Sequence, residues 1–420
     1  METLGLTAAQ IQAGGAYWTA REIAQQPQVW PEVERRVTAD AQLASFLAPL
    51  LANPELRVVL TGAGTSSFIG ECLAPALTRS SAPRAAAIAS TDIVSCPESS
   101  LARCTPTLMV HFARSGNSPE SVAALELGEH RVERCAHLIV TCNAEGNLYR
   151  RAGTMRNAHV LLLPEASNDQ SFAMTSSFTS MLLAAAGALR LMPTDGTRSA
   201  RLSPLAIHVL TSCLPVITSL VRAQFERVVY LGSNELKGLA REAALKMLEL
   251  TDGRVVSLAE APLGFRHGPK TVVNGSTLVV VFLSNDAHTR RYDLDLLAEL
   301  RRDCVAGRVI AFSAQAHDSH PDTVVLGDGG ANDRKHTDSH SAAHGTGADG
   351  FDASAEDPGK HQAPAALSDL ELCLPYAVFA QSLAMLRSLS LGLSPDRPNF
   401  AGTVNRVVQG VSIYPYGKAR

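Results

Sequence analysis

The chain has 420 residues, with 37 Lys plus Arg against 40 Asp plus Glu and a formal net charge of −3. So even a balance gives no general attraction for a polyanion, so nucleic acid and an anionic membrane surface are not expected partners. Hydrophobic residues make up 46% and charged residues 18%, which suits sizeable cores, and at about 100–200 residues per domain the length fits two or three domains.

The eight cysteines are scattered and form no CxxC pair, so zinc, redox and disulfide frameworks are not expected. The opening METLGLTAAQ has no basic stretch followed by an apolar one, and the longest apolar run, 181–189, is too short to span a bilayer. A cytoplasmic location is expected. Any anionic ligand has to be held by local features such as helix N-termini.

In chain order, residues 1–45 read as helices carrying Glu22, Ile23, Val29, Trp30 and Val33. Apolar, β-rich runs follow at Val58-Val59-Leu60, Thr107 to Phe112 and Leu138-Ile139-Val140. They recur at Val228-Val229-Tyr230, Thr277 to Phe282 and Arg308-Val309-Ile310, each shifted by 170. One such match is cheap, but three at one offset predict a duplicated domain. The runs are continuous rather than alternating, as in parallel strands buried on both faces. Amphipathic stretches at 71–77, 119–127, 235–250 and 293–301 lie between them, and 186–226 reads as a helical join. The predicted fold class is α/β, two tandem doubly wound parallel sheets behind an N-terminal helical segment. The expected boundaries are 1–45, 46–200 and 208–420. Residues 314–366 are rich in Gly, Asp, Ser and His. They are expected to form a mobile insertion, because that composition does not repay the entropy of ordering. Six histidines fall there, His317, His320, His336, His340, His344 and His361, without regular ligand spacing, and no metal site is expected.

Two strand-to-helix turns suit an anion. Thr61-Gly62-Ala63-Gly64-Thr65-Ser66-Ser67 combines glycines, hydroxyls and a helix N-terminus, without GxGxxG or Walker-A spacing. Arg114-Ser115-Gly116-Asn117-Ser118-Pro119 does the same after the next strand, with Pro119 set to open a helix. Two cradles on successive strands converge on one phosphate. The second copy has Gly232-Ser233-Asn234-Glu235 and Ser284-Asn285-Asp286, whose acidic residues disfavour a second phosphate. A third hydroxyl cluster, including Thr175 and Ser176, reads equally as pocket lining or as helix capping. Glu242, Lys246 and Glu249 fall at i, i+4 and i+7 on one helical face, which is either a solvated stripe or a cleft wall. His267 sits in a rigid Phe265-Arg266-His267-Gly268-Pro269 loop and has the side chain best poised for proton transfer near neutrality.

Together these segments resemble the SIS (sugar isomerase) domain family. They are similar to the isomerase half of glucosamine-6-phosphate synthase, and most similar to AgaS-type tagatose-6-phosphate ketose/aldose isomerases, also described as galactosamine-6-phosphate deaminases. The resemblance covers about residue 45 to the end, 314–366 excepted, and includes the tail Asn399-Phe400-Ala401-Gly402-Thr403-Val404-Asn405-Arg406. It implies phosphate binding at Gly64, Thr65, Ser66, Arg114, Ser115, Gly116, Asn117 and Ser118. It also implies Glu249 as isomerase base, supported by Lys246 and Glu242, and His267 as ring-opening histidine. In the synthase that histidine serves the neighbouring subunit, which implies a homo-oligomer, a dimer or tetramer. The synthase has a tail Lys where this chain has Gly402, which points to the AgaS group. No cofactor is implied. Two other readings stay open: a sugar-phosphate-sensing regulator, and another phosphosugar isomerase, epimerase or lyase.

Overall fold

The computed structural model describes residues 2–80, 84–316, 319–327, 366–408 and 410–416. Four helices come first: α1 (Ala8–Ala13), α2 (Tyr17–Ala24), α3 (Gln26–Ala39) and α4 (Ala41–Leu51). Thr7 and Gln10 form a reciprocal capping box on α1, and the Asp40 carboxylate accepts from the Leu43 N–H to start α4. The helical segment thus runs to Leu51, past the expected limit of 45.

The first sheet region follows as β1 (Arg57–Thr61), α5 (Thr65–Arg79), β2 (Arg84–Ala87), α6 (Ser90–Ser95), α7 (Pro97–Ser100), β3 (Thr107–Ala113), α8 (Pro119–Arg131), β4 (Cys135–Thr141), α9 (Asn147–Ala152), β5 (Ala158–Leu162) and α10 (Ser176–Ala188). Helices α11 (Thr197–Thr211) and α12 (Leu214–Arg222) form the join. The second region comprises β6 (Arg227–Leu231), α13 (Glu235–Leu250), β7 (Val256–Glu260), α14 (Pro262–Phe265), β8 (Thr277–Phe282), α15 (Ala287–Asp303), β9 (Arg308–Ser313), β10 (Thr323–Val325) and α16 (Asp369–Ser390).

Both sheets are five-stranded and wholly parallel, in the orders β2-β1-β3-β4-β5 and β7-β6-β8-β9-β10. The two orders correspond strand for strand. Arg57 pairs with Thr107 and Arg227 with Thr277, so the offset of 170 holds across the first two strand matches. It fails at the third. Leu108 pairs with Ala136 and Leu278 with Arg308, so Arg308 corresponds to Ala136, not to Leu138. A two-residue slip keeps every side chain on its own face, which is why the apolar runs still aligned.

The insertion expected over 314–366 needs correction. Residues 319–327 include β10, which pairs with β9 through Val324 and Phe312. The remainder, 317–318 and 328–365, lies outside the described residues.

One continuous core links Leu60 and Phe178 in the first region to Tyr230 and Phe312 in the second. Gly238 sets the distance between α13 and α5, since a Cβ there would lie 2.7 Å from the Cys72 backbone nitrogen. One described helix, α16, is long and apolar enough to cross a membrane, and 94% of that stretch is buried inside the fold.

Candidate active site

In a sheet of this order, β1 and β3 are neighbours whose following helices leave in opposite directions, which opens a crevice at their carboxyl ends. Both hydroxyl-rich turns lie there. Gly64 takes φ 56° and ends the first turn at α5. Gly62 is forced by contact, because a Cβ would meet the Ser66 Cβ at 2.6 Å. In the second turn Gly116 takes φ 66°, and Ser118 caps α8 by accepting from the Ser121 N–H at 3.3 Å. The Asn143 amide donates to the Ser115 carbonyl at 2.8 Å, and Asn117 Oδ1 accepts from the Asn147 N–H at 3.0 Å. Neighbouring loops therefore hold this turn rigid.

A pocket of about 110 Å³ sits between the turns, lined by Ser66, Ser115, Gly116 and Ser118 together with Arg114 and the tail residue Arg406. Ser66 Oγ lies 3.8 Å from the Met174 sulfur, which closes the floor. Arg114 is buried and donates to the Phe172 carbonyl at 3.1 Å and the Arg406 carbonyl at 2.9 Å. Burial and the adjacent Arg406 lower its pKa, while Asp169, Glu249 and Glu22 act the other way.

Helix α13 adjoins this pocket. Leu245 reaches to 4.0 Å from where a Cβ on Gly64 would stand. On the same helix, Lys246 lies 3.6 Å from Glu242 and contacts Glu249 directly. Lys246 and Glu242 are almost fully buried, and the Glu249 side chain is about one quarter exposed. The stripe is thus largely buried rather than a solvated face. Burial pushes the Glu242 carboxyl up to about 8, against the pull of Lys246. Burial also opposes the Lys246 charge, but Glu242 and Glu249 outweigh it and hold the ammonium above its ordinary value. Burial outweighs the downward pull of both Lys246 and the Thr65 hydroxyl, neither of which reaches close hydrogen-bond geometry with Glu242. These facts fit a neutral Glu242, which leaves the Lys246 charge directed at Glu249.

Gly64, Thr65 and Asn117 belong to the turns but do not line the pocket, and Thr175, Ser176 and His267 stand elsewhere. Thr175 and Ser176 do not line the pocket. The N–H groups of Thr175, Ser176 and Ser177 all donate to the Asp169 carboxylate, at 2.7–3.0 Å. The Thr175 hydroxyl bonds Asp169 as well, and the Ser176 hydroxyl donates to the Glu22 carbonyl at 2.6 Å. Neither reading of that cluster holds: the hydroxyls do not line the pocket, and the helix start is capped by the buried Asp169 carboxylate rather than by a Thr175 or Ser176 hydroxyl. His267 is exposed on the loop after α14 and makes no side-chain hydrogen bond among the described residues.

Sequence reasoning missed a support beneath the pocket. Glu22 on α2 accepts from the Ser171 N–H at 3.2 Å and from the Ser171 hydroxyl. Burial, then the neighbouring Asp169, pushes its carboxyl up to about 7. On the other side of this loop, Arg406 Nε donates to the Ser171 carbonyl at 3.2 Å, and another Arg406 nitrogen donates to that of Asp169. The one trio with metal-ligand potential among the described residues is Glu129, Cys135 and His137. It lies at the opposite, amino end of β4, and His137 is already hydrogen-bonded to Glu129 at 2.8 Å.

Residues 50–189 match the SIS domain. A D-galactosamine-6-phosphate deaminase AgaS of Shewanella sp. is 40% identical over 98% of this chain and 96% of its own length. An AgaS relative in Streptomyces coelicolor is 46% identical over 95% of this chain and 96% of its own. Among solved structures, the tagatose-6-phosphate ketose/aldose isomerase of Escherichia coli superposes with a TM-score of 0.80 at 38% identity, covering 95% of this chain and 97% of that one. Identity at this level along nearly the whole sequence means that the chain belongs to the AgaS family of SIS-domain proteins.

Proposed function

We propose that this protein is a sugar-phosphate ketose/aldose isomerase and amino-sugar-phosphate deaminase, acting on an open-chain hexose or hexosamine 6-phosphate of the tagatose/galactosamine type. The observation that carries this reading is the seating of the Glu242–Lys246–Glu249 face of α13 beside the α5 turn, next to the hydroxyl-lined pocket. A phosphate held by Ser66, Ser115 and Ser118, with Thr65, Gly116 and Asn117 shaping the turns, brings the sugar carbons toward that face.

Glu249 then removes the C2 proton of the open-chain aldose, and the electron pair moves to C1–C2 as an enediol or enolamine. Return of the proton to C1 completes the aldose–ketose shift. With an amino group at C2, the product is an imine at C2. Water adds there, the C2–N bond breaks, and ammonia leaves with the ketose phosphate. Lys246 pairs with Glu249 and orients its carboxylate, and Glu242 positions Lys246. His267 opens the sugar ring, and its exposure fits service to a second copy of the chain in a homo-oligomer. We place the enzyme in the cytoplasm, as two domains behind α4 that are joined through α11 and α12.

The test is ammonia release from glucosamine, galactosamine and N-acetylated 6-phosphates, read beside solvent-deuterium incorporation at C2 and C1. Release from galactosamine 6-phosphate with deuterium at C1 supports the reading. Neither release nor exchange with any of these sugars would overturn it.

A further inference from the structure

The tail brings a second cation to the pocket, beside the Arg114 that the turn after β3 supplies. Arg114 and Arg406 both line the pocket, grip the same loop carbonyls and touch through the Arg406 carbonyl. Among the described residues, neither guanidinium has a carboxylate within ion-pair distance. Carbonyl oxygens satisfy N–H groups but do not neutralise charge. Two neighbouring guanidinium groups with no carboxylate in direct contact repel, and they favour an anion in the space they share. The hydroxyls of Ser66, Ser115 and Ser118 face that space and carry no charge. Arg114 is buried and spends donors on the Phe172 and Arg406 carbonyls, which leaves the exposed Arg406 as the guanidinium placed to meet a phosphate dianion.

We propose that Arg406 is a ligand of the substrate phosphate, so that the C-terminal tail forms one wall of the phosphate site and selects the dianion. This rests on the phosphate reading of the pocket given above. Arg406 spends Nε and one terminal nitrogen on the carbonyls of Ser171 and Asp169, which leaves the rest of its planar fork for the ligand. The buried Glu22 and Asp169 carboxylates hold the N–H groups of the same loop, so the carbonyls that aim Arg406 are themselves fixed.

The test uses inorganic phosphate as probe, titrated calorimetrically into the wild-type full chain and into Arg406→Gln and Arg406→Lys, on both sides of the second ionisation of phosphate. Arg406 is exposed, so both variants are expected to fold, and far-UV circular dichroism checks this. Wild type binds the dianion better than the monoanion. Arg406→Gln loses roughly 10- to 100-fold in dianion affinity, as expected for a charged hydrogen bond, and loses that preference. Arg406→Lys recovers part of both. Equal affinity in wild type and Arg406→Gln overturns the inference while leaving the pocket intact. Weaker binding with an unchanged dianion preference also overturns it, because Arg406 then only tethers the tail. No binding to wild type removes the phosphate reading itself.

Discussion

The two sheets share one strand order, yet their carboxyl ends have opposite contents. In the first, no carboxylate hydrogen-bonds the hydroxyls of Ser66, Ser115 or Ser118 among the described residues. In the second, the matching turns are filled by the chain's own acids. Asp293 accepts from the Ser233 hydroxyl at 2.6 Å and the Ser284 N–H at 3.0 Å, while Asp369 accepts from the Ser284 hydroxyl at 2.5 Å and the Asn285 N–H at 2.6 Å. Burial pushes Asp369 up to about 6 and raises Asp293. Even the backbone agrees, since Asn234 takes φ 51°, ψ −119° where Gly64 takes φ 56°, ψ −128°. One scaffold therefore yields an open anion site or a closed structural knot, according to whether a carboxylate is supplied from within.

The sharpest way to break this comparison is at α13, the element the second region lends to the first. Glu249→Gln should fold and bind sugar phosphate but lose about 10²–10⁴-fold in kcat. Wild-type exchange of the C2 hydrogen in a folded variant would show that another group is the base. Next come paired serines. Ser115→Ala should raise KM about 10- to 100-fold through one lost bond to a charged ligand. Ser284→Ala should leave KM alone and destabilise the fold by about 1–3 kcal/mol, because Asp369 loses a partner. A KM effect from Ser284→Ala, or none from Ser115→Ala, would erase the contrast.

A smaller effect is expected from Glu242→Gln. Unfolded Glu242 ionises near 4.5 and the folded carboxyl near 8. Between those values the native state binds more protons than the unfolded state, so wild-type stability falls as pH rises through that window. The variant lacks this slope, so its melting temperature should gain on wild type from about 4.5 to about 8, in scans at several pH values. A constant difference across the range would mean that Glu242 is ionised in the fold. Least of all should follow from replacing 329–364 with a short Gly-Ser linker, which spares β10, because Phe351 is the one large apolar side chain in that stretch. Loss of several degrees in melting temperature would count against this.

What the sequence made legible was local. Central strands β1, β6 and β8 carry unbroken apolar runs and β3 is interrupted only by His111, both turns follow their strands directly, and α13 shows its full length from 235 to 250. The edge strands were harder. β2 reads Arg-Ala-Ala-Ala, a helix-like composition, and β10 has three residues inside a polar stretch. Thr175 and Ser176 misled because a hydroxyl at a helix start looks the same whether it meets a ligand or a buried Asp. Glu22 and Ser171 lie 149 positions apart, and Arg114 and Arg406 lie 292 apart. No periodicity reports such pairings.

Helix α16 has a consequence for how the protein is made. Its Gln381 amide oxygen accepts from Gln26 on α3 at 2.7 Å, and the same Gln26 accepts from Thr179 on α10 at 2.7 Å. Early helices are thus completed by a late one. Roughly 200 residues separate the end of α10 from the end of α16, about 10–40 s of synthesis at ordinary ribosome speeds. Throughout that interval the apolar faces of α3, α5 and α10 lack their last partner. A ribosome stalled after the first sheet would release a sticky half-protein, so chaperone demand during translation should be set by the delivery of α16.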